Sequence, residues 1–198
     1  MLRQIEMPRK DFKLISDWVK PDSSVLDLGC GDGSLLKLLI EKRNITGYGI
    51  DTSVEKIIKS LDNKINVINT NINHKLDYFS DNSFNYVILA QSLQVVQNPV
   101  ELIKEMLRVG DQAIISFPNM GYWRSRLYLF FKGRMPITDE LPHSWHSTPN
   151  IHLCTIRDFK EMCHMNNFTI IEEVINNNSS ISSNYFSNIL GESAIFRI

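Results

Sequence analysis

Short apolar segments alternate with segments of helical spacing along this chain, and the alternation predicts its architecture. Five segments rich in apolar and β-branched side chains read as buried strands and occupy residues 24–28, 46–50, 66–69, 84–90 and 112–117. Between the strands, apolar side chains recur every three or four positions, as in helices, over residues 34–42, 53–60 and 99–108. Strands that alternate with helices favour parallel pairing, so the pattern predicts an α/β protein.

The two ends of the chain extend this pattern. Residues 1–20 are predicted to contain a helix that ends before Pro21, and its apolar side chains recur at helical spacing at Phe12, Ile15 and Val19.

The alternation breaks after the fifth predicted strand. Residues 118–151 form a long insertion or lid, rich in aromatic and basic side chains. A loop of that length inside a compact domain is functional, disordered or has structure of its own. A helix capped by Thr155 is then predicted over residues 155–165, followed by two closing strands over 170–174 and 193–198.

Composition restricts the class of protein. With 43% apolar and 22% charged residues, residues 1–198 are predicted to form one globular domain. The net charge of −1 disfavours a nucleic-acid partner, because neutralising phosphates requires excess Lys and Arg. The chain shows neither a signal-peptide pattern nor an apolar run of membrane-spanning length, so we expect a cytoplasmic protein with no membrane partner. No CxxC pair is present, so reduced thiols and no metal site are expected at Cys30, Cys154 and Cys163.

The segment 25–33, with the sequence VLDLGCGDG, lies where the first predicted strand turns into the first helix. Its glycines allow a tight turn and a close approach to a ligand, while the helix N-terminus offers free N–H groups to an anion. A dinucleotide fingerprint would need a glycine at Ser34, so a nicotinamide cofactor is disfavoured. Asp51 follows the second predicted strand, where such folds place an acid on ribose hydroxyls. A glycine turn without a ligand is the structural alternative.

These residues, together with Asp27, resemble motif I of class I S-adenosylmethionine-dependent methyltransferases. The resemblance implies a Rossmann-like α/β fold: a three-layer sandwich around a mostly parallel seven-stranded sheet whose last strand is antiparallel. It also implies S-adenosylmethionine as cofactor, with S-adenosylhomocysteine as product or inhibitor. The implied cofactor-binding residues are Asp27, Gly29, Cys30, Gly31, Gly33, Asp51, Thr52, Asn71, Ile72, Ala90, Gln91 and Ser92.

The resemblance also implies a role for each part of this site. The glycine loop would cradle the methionine part of the cofactor, and Asp51 would accept from both ribose hydroxyls. Asn71 and Ile72 would meet the adenine, although Asn71 stands where the family commonly has an acid. Residues 90–93 would line the side on which the methyl group is transferred. The simplest interpretation of Cys30 is a structural one, in which its small side chain fills space between two glycines.

Longer segments downstream resemble the MetW family of methionine-biosynthesis proteins. The resembling segments are QSLQ at 91–94, FPNMGYWRSRL at 117–127, GRMPI at 133–137 and TPNIHLCTIRDF at 148–159. MetW proteins look like methyltransferases and are associated with homoserine O-acyltransferase. The resemblance therefore implies an S-adenosylmethionine-binding protein of methionine biosynthesis that acts with that enzyme. An active methyltransferase on an unidentified small molecule is the alternative, and an NAD-dependent oxidoreductase is a weaker third.

The insertion contains the candidate catalytic residues. His143 and His146 are candidate general bases because an imidazole titrates near neutrality, and Tyr122 is a candidate polar group near the sulfonium. A structural role is the alternative for the histidines. No Cys or carboxylate completes a metal-ligand spacing around them, so no metal is expected.

The run 122–131 allows three interpretations. Its aromatic and Arg side chains could form a lid over an anionic acceptor, with Arg124 and Arg126 as the binding groups. The same run could be a partner surface, since aromatics and Arg are favoured at interface cores. Trp123, Leu127 and Phe130 recur at helical spacing, however, and could instead be the buried face of a helix.

Overall fold

The computed structural model describes residues 9–138, 141–176 and 186–198. Its seven strands are β1 (Ser24–Leu28), β2 (Thr46–Asp51), β3 (Asn66–Asn69), β4 (Phe84–Ala90), β5 (Gly110–Pro118), β6 (Glu172–Asn176) and β7 (Ser193–Arg197). Its helices are α1 (Lys10–Trp18), α2 (Ser34–Arg43), α3 (Val54–Asp62), α4 (Pro99–Val109), α5 (Trp123–Lys132), α6 (Ile156–Met165) and α7 (Ser187–Leu190), and a 3-10 turn spans Leu93–Val95.

All seven strands form one sheet in the order β3-β2-β1-β4-β5-β7-β6. Only β7 runs against its neighbours, pairing antiparallel with β5 on one side and β6 on the other. The predicted mostly parallel sheet with an antiparallel last strand is confirmed. The strand order reverses between β1 and β4, and open α/β sheets bind ligands in the crevice at the carboxyl ends of such strands.

Helices cover both faces of the sheet and complete a three-layer sandwich. On one face, α4 and α6 bury apolar side chains such as Ile103 and Phe159 against the strands. On the other face, α1 and α2 bury Ile15 and Leu36. Each large apolar side chain removed from water in this way contributes about 1.5–3 kcal/mol.

Three aromatic rings hold the antiparallel strand in place. Phe159 of α6 lies 4.8 Å from the ring of Phe117 on β5 and 4.6 Å from that of Phe196 on β7, centroid to centroid. Phe117 and Phe196 stack at 5.8 Å. Aromatic pairs at such centroid distances add about 0.5–1.5 kcal/mol beyond area burial.

The predicted cap of α6 is confirmed as a capping box. The Thr155 hydroxyl accepts from the Asp158 N–H at 3.2 Å, while the Asp158 carboxylate accepts from the Thr155 N–H at 2.9 Å. Asn119, buried in the turn after β5, lies next to this helix start. Its amide donates to the carbonyls of Asn188 and Gly191, and its oxygen accepts from the N–H groups of Gly121 and Ile156. One side chain thus joins the end of β5, the start of α6 and the segment before β7.

The insertion contains a helix, but not the buried one that its spacing allowed. Residues 123–132 are helical as α5, whereas Trp123, Leu127 and Phe130 are all exposed. The prediction of a buried apolar face is wrong because the buried side chain of α5 is that of Ser125. The apolar side chains that share a face point away from the sheet.

Residues 1–8 of the predicted N-terminal helix lie outside the described residues, and the described part is helical from Lys10. Among the helices that the structure describes, none is long and apolar enough to cross a membrane.

Candidate functional site

A cavity of about 500 Å³ lies at the carboxyl ends of β1 and β4. We call it the glycine-loop cavity. Its floor comes from the turns after these two strands, at residues 29–32 and 90–92, and one wall comes from α2. The remaining lining residues are Arg9, Phe12, Lys56 and Asn63. The cavity therefore occupies the crevice at which the strand order reverses.

The glycine loop needs its glycines for different physical reasons. All three have left-handed backbone angles, with φ of 74° at Gly29, 60° at Gly31 and 75° at Gly33. A Cβ at Gly29 would lie 2.8 Å from the Ser92 hydroxyl oxygen, so the turn after β4 packs directly against it. A Cβ at Gly31 would meet nothing within 4 Å, so this glycine leaves open space in the cavity. An open backbone beside a helix N-terminus is suited to a ligand that bears an anionic group.

Asp51 is held against this loop by two backbone hydrogen bonds. One carboxylate oxygen accepts from the Gly31 N–H at 2.9 Å, and the other accepts from the Ser53 N–H at 2.8 Å. Both bonds fix the orientation of the carboxylate at the end of β2, although each oxygen keeps further acceptor capacity. The structure therefore brings Asp51 and the glycine loop together, as the sequence predicted.

Asp27 is a buried acid beneath the loop. It is 2% exposed, and one of its carboxylate oxygens has no hydrogen-bond partner. Burial raises the pKa of this carboxyl from its ordinary 3.8 to about 7, against the attraction of the Arg9 guanidinium, and the charges of Asp51 and Asp11 raise it further. A buried carboxyl with an unused acceptor fits the ammonium group of a ligand.

Cys30 behaves as the space-filling side chain that the sequence suggested. Burial raises the pKa of its thiol to about 12, and the neighbouring charges of Asp27 and Asp51 act in the same direction. The thiol is therefore protonated and unreactive near neutral pH. A Cβ on Gly49 would come 2.4 Å from the Cys30 sulfur, so Gly49 in β2 makes room for this side chain.

Helix α1 forms a wall of the cavity that sequence reasoning missed. The Arg9 guanidinium lies 4.7 Å from the centroid of the Phe12 ring and pairs with the Asp11 carboxylate. Asp11 is itself buried and accepts from the Ser116 hydroxyl on β5 at 3.1 Å. The available signal was Asp11 itself, an acid one turn before Ile15 on the apolar face of a helix.

Gln91 carries a strained backbone at the edge of the cavity. Its φ is 55°, and its N–H is shared between the carbonyl oxygen of Ser116 at 2.9 Å and the hydroxyl of the same residue at 3.0 Å. A non-glycine residue in this region costs of order 1 kcal/mol, and such outliers cluster at ligand sites. Ser116 thus connects the turn after β4 to Asp11 of α1.

A second, mostly apolar cavity of about 280 Å³ lies beside this turn and includes Leu93, Gln94, Phe117, Cys154 and Met162 among its lining residues. We call it the Gln94 cavity. The Gln94 amide donates to the Gln91 carbonyl at 2.9 Å, and its amide oxygen is buried without a partner. An apolar pocket with one free acceptor suits a small apolar molecule that carries one donor.

Of the predicted cofactor-binding residues, Gly29, Cys30, Gly31, Ala90, Gln91 and Ser92 line the glycine-loop cavity. Gly33 adjoins this lining in the chain, Asp51 adjoins it through its hydrogen bond to Gly31, and Asp27 lies two positions before Gly29. Thr52, Asn71 and Ile72 lie outside the lining. Asn71 is exposed, and its side-chain oxygen accepts from the Asn73 N–H at 2.9 Å, while Ile72 packs in the core. Thr52 is also exposed. The roles assigned to these three residues stay predictions.

The three candidate catalytic residues also lie away from that lining. Tyr122 is buried at the start of α5, and His143 and His146 are exposed. His146 lines a different cavity of about 630 Å³, together with Trp145. In the part of the chain that the structure describes, no three His, Cys, Asp or Glu side chains are placed to hold a metal ion. The catalytic assignments stay predictions.

The family model described as methionine biosynthesis protein MetW matches residues 9–198. The chain belongs to the MetW family. A bifunctional methionine biosynthesis protein MetXA/MetW from Rhodopirellula baltica is 40% identical to this MetW-family chain over 173 residues, which are 83% of this chain and 28% of that protein. A demethylmenaquinone methyltransferase from Bacillus cereus is 29% identical over 146 residues, which are 67% of this chain and 61% of that protein. The MetW-family chain thus spans less than two thirds of each relative.

Solved structures share the fold of this MetW-family chain at low identity. A SAM-dependent methyltransferase from Archaeoglobus fulgidus aligns with a TM-score of 0.66 and 15% identity, covering 94% of this chain and 93% of that one. A SAM-dependent methyltransferase from Thermotoga maritima aligns with a TM-score of 0.64 and 13% identity, covering 94% and 86%. The predicted class I methyltransferase fold is confirmed, as is the resemblance to MetW. At such identities the solved structures show the fold alone.

Proposed function

We propose that this methyltransferase-like protein of methionine biosynthesis binds S-adenosylmethionine in the glycine-loop cavity and acts with a homoserine O-acyltransferase. The observation that carries the first half is the open Gly31 backbone together with two acids, Asp51, which is hydrogen-bonded to it, and Asp27, which is buried with an unpartnered oxygen. A ligand-free turn would not need an open backbone position, an unused buried acceptor and a cavity of this size together.

The residues at and next to the cavity offer partners for three polar parts of S-adenosylmethionine. Asp51 would accept hydrogen bonds from the ribose hydroxyls, because its carboxylate is already oriented by Gly31 and Ser53. The unpartnered oxygen of Asp27 would accept from the ammonium group of the methionine part. The ligand's carboxylate would meet the N-terminus of α2 and the ammonium of Lys37, which also lines the cavity.

The proposed partner follows from the family rather than from the cavity. MetW proteins are associated with homoserine O-acyltransferase, and the name of the Rhodopirellula baltica relative joins MetXA to MetW in one chain. A partner fused to a relative is a candidate for non-covalent assembly with the unfused chain. Since S-adenosylmethionine is made from methionine, we propose that its binding adjusts the acyltransferase as end-product feedback.

Calorimetric titration of the purified chain with S-adenosylmethionine tests the cofactor half. Asp51→Ala should weaken binding at least 100-fold, since it removes two hydrogen bonds to a charged acceptor, each worth about 1.5–3 kcal/mol. Asp62→Ala is the matched control, because Asp62 is an exposed acid at the end of α3, and it should bind as the wild type does. Equal affinity for NAD, or unchanged affinity in Asp51→Ala, would refute the assignment of the site.

Acyl-transfer assays test the partner half. We expect the rate of a homoserine O-acyltransferase from the same genome to change when this chain is added, and to change again on adding S-adenosylmethionine. The second change should disappear with Asp51→Ala. If the variant loses the cofactor but responds like the wild type, the feedback role is wrong while binding stands.

The Gln94 cavity favours one alternative, an active methyltransferase on a small molecule. It lies next to the turn at Gln91, and its mostly apolar lining with one free acceptor suits an uncharged methyl acceptor. Formation of S-adenosylhomocysteine from S-adenosylmethionine in the presence of a small-metabolite extract would support this function, provided that Asp51→Ala abolishes it.

A further inference from the structure

Large apolar side chains are exposed on α5 and in the segment that follows it. Phe130, Phe131 and Trp145 are 80%, 73% and 75% exposed. Tyr128 lies one helical turn before Phe131 and lines one cavity with Met135, Ile137 and Trp145. We call these six residues the α5 surface. Large exposed aromatic groups that share one patch on a monomer mark an interaction site.

Cationic residues outnumber acidic ones along the segment that carries the α5 surface. Residues 119–146 contain four cationic side chains, Arg124, Arg126, Lys132 and Arg134, and two acidic ones, Asp139 and Glu140. Within the described ranges, none of the four forms a salt bridge. Arg124 stacks on Trp123 at 5.4 Å, and the Arg126 guanidinium donates to the Gly121 carbonyl. Lys132 and Arg134 are exposed beside the aromatic side chains.

This combination specifies the occupant by its chemistry. An apolar centre with a cationic rim is complementary to an apolar patch with an acidic rim. A second copy of this chain would bring a second predominantly cationic patch against the first in a two-fold interface, and like charges brought together in this way are costly. The charge pattern therefore favours a different protein over self-association.

We infer that the α5 surface is the docking site for the homoserine O-acyltransferase, which meets it with an apolar patch bordered by Asp and Glu. The inference rests on the proposed function, because the fused Rhodopirellula baltica relative is what supplies the identity of the partner. Phe130, Phe131 and Trp145 are the aromatic anchors of the contact. Lys132 and Arg134 give it a salt-dependent component.

The site is separate from the glycine-loop cavity, whose lining includes no residue of the α5 surface. A change on this surface should therefore leave cofactor binding intact. The anchors are also exposed, so replacing them should not disturb the core. These two properties allow loss of docking to be distinguished from loss of folding.

The test measures the affinity of the purified chain for the purified acyltransferase from the same genome by biolayer interferometry. Phe130→Glu with Phe131→Glu should weaken binding at least 30-fold, as expected when aromatic hot-spot residues are lost. The matched control is Tyr78→Glu with Met165→Glu, two apolar residues that are 68% and 74% exposed elsewhere, and its affinity should stay within twofold of the wild type. Lys132→Glu with Arg134→Glu should weaken binding and reduce the change in affinity with salt concentration.

Each other outcome overturns the inference in a recognisable way. If the wild type binds and the α5 double variant binds equally well, the docking site is elsewhere and the proposed partnership stands. If the wild type does not bind the acyltransferase, with or without S-adenosylmethionine, both proposals fail together. Dimers of the wild type that the double variant abolishes in sedimentation would identify a second copy as the occupant. Binding to phosphatidylglycerol vesicles that the variant abolishes would instead identify an anionic lipid surface.

Discussion

The carboxyl of Asp27 couples the stability of the protein to pH. Its pKa is about 7 in the folded chain because burial disfavours the charged form, against an ordinary value of 3.8. Between these two values the folded chain holds a proton that the unfolded chain has released. The contribution of Asp27 to the free energy of unfolding is therefore greatest at low pH and falls as pH rises through 7.

Lowering the pH from 8 to 5 should accordingly raise the Asp27 contribution to the free energy of unfolding by about 3 kcal/mol. Urea unfolding across this range measures the change, and the difference between wild type and Asp27→Asn isolates the contribution of this carboxyl from that of other groups. The asparagine variant should be the more stable of the two at pH 8. Stability curves that run parallel for the two proteins would show that the pKa of Asp27 is not raised in the folded chain.

A pair of glycines separates the ligand role of the loop from its backbone role. Gly31 and Gly133 have nearly equal left-handed angles, with φ of 60° and 59°, and a Cβ at either would meet nothing within 4 Å. Gly31→Ala and Gly133→Ala should therefore each cost about 1 kcal/mol of stability, for the same backbone reason. Only Gly31→Ala places its methyl group in the glycine-loop cavity.

We expect Gly31→Ala to weaken S-adenosylmethionine binding at least tenfold and Gly133→Ala to leave it unchanged, as measured by calorimetry beside thermal unfolding. Equal affinities in the two variants would mean that the open position at Gly31 does not face the ligand. A much larger loss of stability in Gly31→Ala than in Gly133→Ala would indicate that the loop glycine is structural.

Among the elements, three strands have the bounds that the sequence predicts, both in the buried part of the sheet, as for β1 and β4, and at its edge, as for β3. The observed bounds of β1, β3 and β4 equal the predicted ones, since turn residues bracket each segment. The last-but-one strand lies two residues later than predicted, at Glu172–Asn176 instead of 170–174. Its position is set by pairing with β7, in which Glu172 lies opposite Arg197. The register of this pairing depends on a distant segment of the chain, so it cannot be predicted from the local spacing of apolar residues.

The helices α1 and α5 show the corresponding limit for helices. Helical spacing indicates which side chains share a face, but the tertiary structure decides what covers that face. The apolar face of α1 is buried, and its Asp11 meets Ser116 more than a hundred positions away. Within the described residues, no layer covers the apolar side chains of α5. The glycine loop and Asp51 could be predicted because their geometry is local to two strand ends, whereas the wall formed by Arg9 and Phe12 could not.

At the scale of the whole molecule, the glycine-loop cavity and the α5 surface share one neighbour, strand β5. Ser116, near the end of β5, accepts two hydrogen bonds from the N–H of the strained Gln91. After β5 the chain passes through Asn119 to reach α5. A ligand that moves the turn at Gln91 would act on β5 through two hydrogen bonds. This connection gives the proposed feedback a physical route between its two sites.

Thermodynamic reciprocity makes the feedback measurable from either site. If S-adenosylmethionine changes the affinity for the acyltransferase by some factor, the acyltransferase must change the affinity for S-adenosylmethionine by the same factor, and couplings of 5–150-fold are typical, or about 1–3 kcal/mol. We expect calorimetric titrations with and without saturating partner to show matching factors. The α5 double variant should retain the cofactor affinity of the free chain and show no change when the partner is added. A complex that forms without altering cofactor affinity would leave the partnership intact and eliminate feedback, because sites without differential affinity cannot shift each other.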